Sequence, residues 1–343
     1  MFNPKYTITP KLLENIKQIT ALVTLLNSKK FSRTILMRLE KAAQEFSAYS
    51  STSIEGNPLP LTEVKKILKN KPAHLRDSEK EVVNYNRALQ RLDSLIADKN
   101  PTPDLKLILK IHADVMEGLA AKTRCGHLRA EPVFVNDPKT GKHVYLPPDH
   151  KDVRLLMEGL VRYVKKNQTA DPLILAGLFH RQFVIIHPFI DGNGRTARLA
   201  TKVILATMGI NTFPLFSFEN YYNQNVTRYF EKVGVFGDYY ELKDDIDFTS
   251  WLEYFTDGII DELLRVEKEL KTSAATPDTT LKDYHLKMLR HIRENGYITD
   301  SDYARFSNRA KATRSLDFKK MIGMGLIERL GKGKSTYYKI KDE

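Results

Sequence analysis

The sequence predicts a mainly α-helical chain with one β-hairpin, followed by a small α+β module. Three observations predict it. Apolar residues recur at helical spacing through most of the first 270 positions. One stretch, Glu131–Leu146, alternates apolar and polar residues around Asn136-Asp137-Pro138 and Thr140-Gly141, a hairpin signal. Lys271–Thr280, KTSAATPDTT, is small and polar and holds a proline, so it reads as a linker.

The helices follow from periodicity. Leu12–Leu26 and Ser32–Ala48 carry apolar residues at helical spacing. Another starts near Thr62, with Pro60 just outside and Val64, Ile67 and Leu68 on one face. Ser78–Ile96, Asp104–Leu119 and Asp149–Lys166 continue the pattern. Ala170–Val184 is apolar nearly all round, which predicts a central buried helix. Arg195–Met208 reads as a second central helix, and Phe248–Leu270 closes the series.

Composition bounds the function. The chain has 343 residues, and 42% hydrophobic residues suffice for a sizeable core. At this length two or three domains are expected. One cysteine, Cys125, excludes an internal disulfide framework and a cysteine-built zinc site. It fits a reducing compartment, and a cytoplasmic location is expected. The first residues, MFNPKYTITPKLLENIKQ, lack an apolar core of signal-peptide length, and no long apolar run predicts a membrane span. The net charge is +12, of which +7 lies on residues 281–343. Such an excess suits nucleic acid, an acidic partner or a solvated surface.

The chemistry gathers in His187–Arg198, HPFIDGNGRTAR. Gly192, Asn193 and Gly194 allow positive φ and close approach of a ligand to backbone N–H groups. They lead into a helix, and a helix N-terminus favours phosphate. Arg195 and Arg198 lie three apart, so both guanidiniums face the region beyond that anion site. Asp191 is placed for a Mg²⁺ that also touches phosphate. A neutral His187 on the same loop is a base for an attacking hydroxyl.

This segment resembles the signature of the Fic (Fido) family, H-x-F-x-D/E-G-N-G-R-x-x-R. His187, Phe189, Asp191, Gly192, Asn193, Gly194, Arg195 and Arg198 meet every specified position. The resemblance implies a helical bundle with a β-hairpin flap, and transfer of AMP from ATP to a protein hydroxyl. By it, His187 is the general base and Asp191 holds Mg²⁺. Gly192 to Arg198, with Thr196 and Ala197 between, is the phosphate-binding segment. Gly126-His127-Leu128-Arg129 resembles the stretch before the flap. Val144, Tyr145 and Leu146 would then align the target by strand pairing. Tyr229 and Phe230 fall where relatives carry aromatics near adenine; the Asn that often follows is absent, with Gly237 and Asp238 in that region. The likeness spans roughly residues 32–270. It divides the chain into an N-terminal helical region (1–100), a Fido catalytic domain (101–270), a linker (271–280) and a C-terminal module (281–343).

Ser51, Glu55 and Gly56 match the family's inhibitory pattern [S/T]-x-x-x-E-[G/N], on a helix of about 32–56. A carboxylate paired with Arg198 occupies the charge and space that a γ-phosphate needs. The same glutamate could orient a water and support AMP removal, and both roles stay open. So does the donor: UTP or another triphosphate suits the same anion site. A protein substrate is implied, with self-modification expected; its identity is not legible. A homodimer is compatible with the sequence.

The tail reads as helices at Tyr284–Glu294, Thr299–Phe306 and Ala310–Gly323, then strands Leu326–Leu330 and Thr336–Ile340 flanking Gly331–Lys334. This order resembles a winged helix. Lys311, Arg314 and Lys319 are expected on the exposed face of its third helix, with Lys332 and Lys334 at the wing. Both DNA and a protein-interaction or dimerisation partner are open for this module, and a nucleotide-sensing DNA-binding regulator is the rival reading for the chain. His112 and His180 are expected to be core or supporting histidines.

Overall fold

The computed structural model describes residues 2–28, 33–70, 72–99, 103–136, 141–167, 169–207, 215–273 and 281–341. It divides into two compact units. One comprises Met1–Lys29 with Leu39–Glu269; the other comprises Lys30–Arg38 with Leu270–Glu343.

In the first unit the helices are α1 (Pro10–Ser28), α2 (Arg33–Ile54, of which the stretch from Leu39 belongs here), α3 (Leu61–Asn70), α4 (Asp77–Lys99) and α5 (Leu105–Met116). After the strands β1 (Val135–Asn136) and β2 (His143–Leu146) come α6 (His150–Lys166), α7 (Pro172–Ile186) and α8 (Asn193–Thr207). These match the periodicity, with two refinements. Ser51–Ile54 form the last turn of α2 rather than following it. Lys271–Ser273 complete the helix before the expected linker, and residues 274–280 lie outside the described ones. So do Met208 and the hairpin turn Asp137–Thr140.

Between α8 and the long α12 (Thr249–Ser273) lie α9 (Phe218–Gln224), α10 (Val226–Val233), β3 (Gly237–Asp238) and α11 (Tyr239–Leu242). The sequence reading assigned nothing there. These helices are short and held by aromatic packing, which gives no helical period to read. Tyr222 stacks on Tyr229, with ring centroids 4.9 Å apart.

α7 is the pillar of the unit, buried on almost every side. Asp171 caps it by accepting from the Leu173 N–H at 2.8 Å, and Pro172 opens its first turn. It packs against α6 and α8, and α8 also touches α4 and α5. Gly177 lets α12 approach: a Cβ there would lie 2.6 Å from Leu252 Cδ2. The Trp251 indole N–H donates to the Gly177 carbonyl across that contact. The hairpin exists, but β2 is the middle strand of the order β1-β2-β3. No described helix is long and apolar enough to cross a membrane.

The second unit runs α13 (Asp283–Asn295), a bridge from Ile298 to Tyr338, α14 (Asp300–Arg305), α15 (Lys311–Gly323), β4 (Ile327–Leu330) and β5 (Tyr337–Ile340). Its core gathers Met288, Leu289, Ile292, Ile298, Tyr303, Phe318, Met321 and Ile327. Lys311 and Lys319 are exposed as expected, but Arg314 is not: Asp300 accepts both its Nε and Nη2, each at 2.8 Å. Arg309 is likewise held by Asp317, at 2.7 and 3.1 Å.

Candidate active site

The segment His187–Arg198 is the turn between the two central helices. α7 ends at His187, the only non-glycine residue at positive φ among those described (φ 50°). That left-handed cap is costly for a residue with a Cβ, and it reverses the chain beneath the site. The His187 N–H donates to the Phe183 carbonyl at 3.0 Å. Its Nδ1 lies 3.3 Å from the Val184 carbonyl, which makes Nδ1 the protonated nitrogen and leaves the Nε2 lone pair free. Burial pushes the imidazole pKa down to about 4. The ring is therefore neutral at physiological pH, as a base must be.

The loop is braced on all sides. Asn193 pairs with the Phe189 backbone twice, accepting from its N–H and donating to its carbonyl, both at 2.9 Å. The asparagine side chain therefore shapes the loop, and its backbone is what remains for a ligand. His112 stacks flat on Phe189 at 3.7 Å. It accepts the Gly126 N–H on Nδ1 at 2.9 Å and donates from Nε2 to the Asp191 carbonyl at 3.0 Å. Arg129 donates to the His187 carbonyl at 2.8 Å and also to the Pro148 carbonyl, tying the loop to the end of the hairpin. These braces come from α5 and from the segment before the hairpin, distant in sequence. The sequence predicts His112 only as a core or supporting histidine. Its partners could not be guessed from spacing.

α8 begins at Asn193, and its first helical bond runs from the Thr196 N–H to the Gly192 carbonyl at 2.9 Å. The preceding N–H groups of Asn193, Gly194 and Arg195 stand at the N-terminus of the helix, an end that favours anions. Thr196 and Ala197 are buried behind them. Asp191 stands exposed beside this end. Its Oδ1 accepts from the Gly192 N–H at 2.5 Å and from Arg195 Nη2 at 3.1 Å, and its other oxygen is left toward solvent. One such carboxylate suits a Mg²⁺ that arrives with phosphate and keeps several waters.

The two arginines part company. Arg195 is held between Asp191 and Glu81, whose Oε1 lies 3.4 Å from Nη1. Arg198 is fully buried and faces α2. Its Nη2 donates to Glu55 Oε1 at 2.7 Å and to the Ser51 carbonyl at 2.8 Å; its Nε donates to Ser51 Oγ at 2.8 Å. Burial alone would lower the Arg198 pKa. Glu55, Tyr229 and Tyr85 beside it reverse this and hold it above its ordinary value. Glu55 also lies over Gly194, where any Cβ would collide with Oε1. A carboxylate thus sits on the N-terminus of α8. Gly56, at φ +91°, ends the helix just after it.

Tyr229, expected near adenine, is packed in the core beside Arg198. Its ring is 1% exposed, and its hydroxyl lies 3.4 Å from Arg198 Nη1 and 3.1 Å from His180 Nε2. Thr201 Oγ1 donates to the Ala197 carbonyl at 2.7 Å and so accepts from His180 Nδ1 at 3.1 Å. His180, its pKa pushed well down by burial and then by Arg198, is neutral, and its Nε2 accepts a hydrogen bond from the tyrosine hydroxyl. The chain Arg198–Tyr229–His180–Thr201 orients the guanidinium from behind. Phe230, half-buried, keeps a surface of its own. In the hairpin, Tyr145 is buried and its hydroxyl donates to the Ile185 carbonyl at 2.9 Å. Tyr145 pairs with Val135 on one side and Gly237 on the other. Tyr145 and Leu146, expected to align a target strand, thus lie on the middle strand, with β1 and β3 as the outer ones.

The Fic/DOC family model matches residues 102–205, which contain this whole turn. The chain carries a Fic/DOC family domain. Curated relatives of the Fic/DOC domain include the protein adenylyltransferase Fic of Aedes aegypti, 30% identical over 227 residues, covering 60% of this chain and 43% of that protein. The protein of the same name from Drosophila erecta is 33% identical over 183 residues, covering 52% and 35%. The chain thus spans less than half the length of these relatives. The fold resembles a Fic family protein from Desulfovibrio desulfuricans, TM-score 0.64 at 21% identity, covering 100% of this chain and 99% of that one. It also resembles Fic-1 from C. elegans, TM-score 0.60 at 23% identity, covering 76% and 73%.

Proposed function

We propose that this protein transfers AMP from ATP to a serine, threonine or tyrosine hydroxyl of a protein, itself included, and that Glu55 restrains the reaction. Support comes from the Fic/DOC domain, from relatives named protein adenylyltransferase, and from the free Nε2 of a neutral His187. In this reading the acceptor oxygen attacks the α-phosphorus, His187 Nε2 takes its proton, and the bond to the β-phosphate oxygen breaks, releasing pyrophosphate. The N–H groups at the start of α8 receive phosphate oxygens, and Arg198 takes the far end of the triphosphate. Asp191 would hold a Mg²⁺ that supplies charge neutralisation on the phosphates. Phe230 is our candidate for the base.

The observation that carries the restraint is Glu55 Oε1 on Arg198 Nη2 at 2.7 Å, above the anion-binding end of α8. Carboxylate and γ-phosphate compete for one cation and one helix terminus. Self-modification followed by intact mass, with ATP, GTP, CTP and UTP as donors, tests the reading. Glu55→Gly should raise AMP incorporation about tenfold or more, the worth of a lost charge-assisted bond. Adding His187→Ala should cut it at least about a hundredfold. Unchanged labelling in the first variant would remove the inhibitory role. Labelling that survives the second would remove the base, and a preference for another donor would replace AMP.

For residues 281–341 we read a winged-helix-like module that binds duplex DNA. The exposed lysines Lys311, Lys319 and Lys332 on α15 and the hairpin turn favour it. A gel shift by the full chain at low salt, weakening steeply with added salt, is the expected result; none at low salt would sink it.

A further inference from the structure

α2 meets α8 along matched stripes. Ser47, Ser51 and Glu55 recur every four residues and so share one face of α2. Gly194, Arg198 and Lys202 recur every four residues on α8. They pair in opposite order: Glu55 with Gly194 and Arg198, Ser51 with Arg198, and Ser47 with Lys202. The last pair belongs to a sealed polar cluster. Lys202 Nζ donates to Ser47 Oγ at 2.7 Å and lies 3.0 Å from Glu219 Oε1, with both charged side chains at most 2% exposed. Tyr85 donates to Glu219 Oε1 at 2.8 Å. Ser217 and Ser47 donate to Oε2 at 3.0 and 3.2 Å. Four elements and the turn before α9 thus converge two turns below Glu55, at a point no phosphate reaches.

We propose that this cluster is a latch that fixes the register of the inhibitory helix, and that Ser47 is a positioning residue acting through Glu55. The proposal rests on the reading of Glu55 as inhibitory. Ser47 is a member that α2 contributes, and its hydroxyl serves both charges, accepting from Lys202 and donating to Glu219. A slip of α2 by one turn, about 5.4 Å, that carries Glu55 past Gly194 would present Ala43 to Lys202. A methyl group there offers neither charge a hydrogen bond, and a bond lost to a buried ionised group is costly. The latch therefore holds α2 where its last turn covers the anion site. Lys202 and Glu219 remain paired with each other when Ser47 is absent, so removing the hydroxyl loosens the helix without stripping a charge of its counter-ion.

Ser47→Ala in the full chain tests this, alone and combined with Glu55→Gly. Two measurements are made: self-modification with labelled ATP and Mg²⁺, and amide exchange over residues 47–56 without nucleotide. With the latch, Ser47→Ala alone raises labelling about tenfold, the worth of a hydrogen bond to an ionised partner. In the Glu55→Gly background it adds less than about twofold, because the carboxylate it positions is gone. Exchange over residues 47–56 quickens about tenfold in the single variant. A serine that is merely structural would change labelling by the same factor in both backgrounds, and that result overturns the latch. Unchanged exchange over 47–56 overturns it equally, whether or not the protein labels itself. If Glu55→Gly itself leaves labelling unchanged, the inhibitory reading falls instead; faster exchange in Ser47→Ala then still upholds the cluster's hold on the helix.

Discussion

Two ion pairs sit one turn apart on α8, and they are built for different fates. Arg198 is buried, but its partner Glu55 is 28% exposed and stands at the rim of the anion site. Lys202 and Glu219 are sealed, at 2% and 0%. In the proposed function the outer pair exchanges its carboxylate for a phosphate, since the exposed side of Glu55 leaves room for a competing anion. The inner pair has no route for a competitor, and Ser47, Tyr85 and Ser217 are among the groups bonded to it. Like chemistry thus yields a replaceable contact in one place and a permanent one in the other. What differs is access.

Replacing each anion in turn sharpens that contrast most. Glu219→Ala should cost about 3–5 kcal/mol of stability, since it strands a buried ammonium. Glu55→Gly should cost about 1 kcal/mol or less, because Arg198 keeps Ser51 and Tyr229 and water can enter beside it. Urea unfolding measures both; equal costs would erase the distinction. A smaller effect is expected from Tyr229→Phe in the Glu55→Gly background. Losing the hydroxyl behind Arg198 should raise the KM for ATP roughly threefold to tenfold and leave the pH profile in place. An unchanged KM would show that Arg198 needs no support from behind.

The smallest effect is one of pH. With its pKa near 4, His187 stays neutral from pH 8 down to 6, so labelling by the Glu55→Gly form should change less than about twofold over that range. An unburied imidazole would lose most of its activity by pH 6. The stability sign follows. The folded histidine binds its proton below the usual imidazole value, so the unfolded chain takes up more protons as pH falls. That contribution is complete above about pH 6.5 and is lost as pH drops toward 4. His180 and His112, also depressed by burial, act in the same direction.

Some of this was legible in the sequence because it is local. The turn His187–Arg198 carries its chemistry in twelve consecutive residues, and the fold keeps them together. The contact of Glu55 with Arg198 was legible because Ser51 and Gly56 flank the glutamate at fixed spacing. The inner cluster was not. Ser47, Tyr85, Lys202 and Glu219 come from α2, α4, α8 and α9, and no spacing links them. Arg314 misled for the same reason. Its partner Asp300 lies on another helix, so helical position alone did not reveal that the charge was spent inside the module. α9 to α11 escaped because their packing is aromatic and their lengths are a turn or two.

One consequence of the inner cluster concerns inheritance. A group of side chains that satisfies itself only as a set can change only as a set. Losing Lys202 alone or Glu219 alone leaves a charge buried without its counter-ion, whereas replacing both with apolar residues of similar volume is nearly neutral. Among related chains, positions 202 and 219 should therefore exchange together, with position 47 following them. A lineage that abandons the pair should pack the space with carbon and keep Arg198, one turn away on α8, untouched.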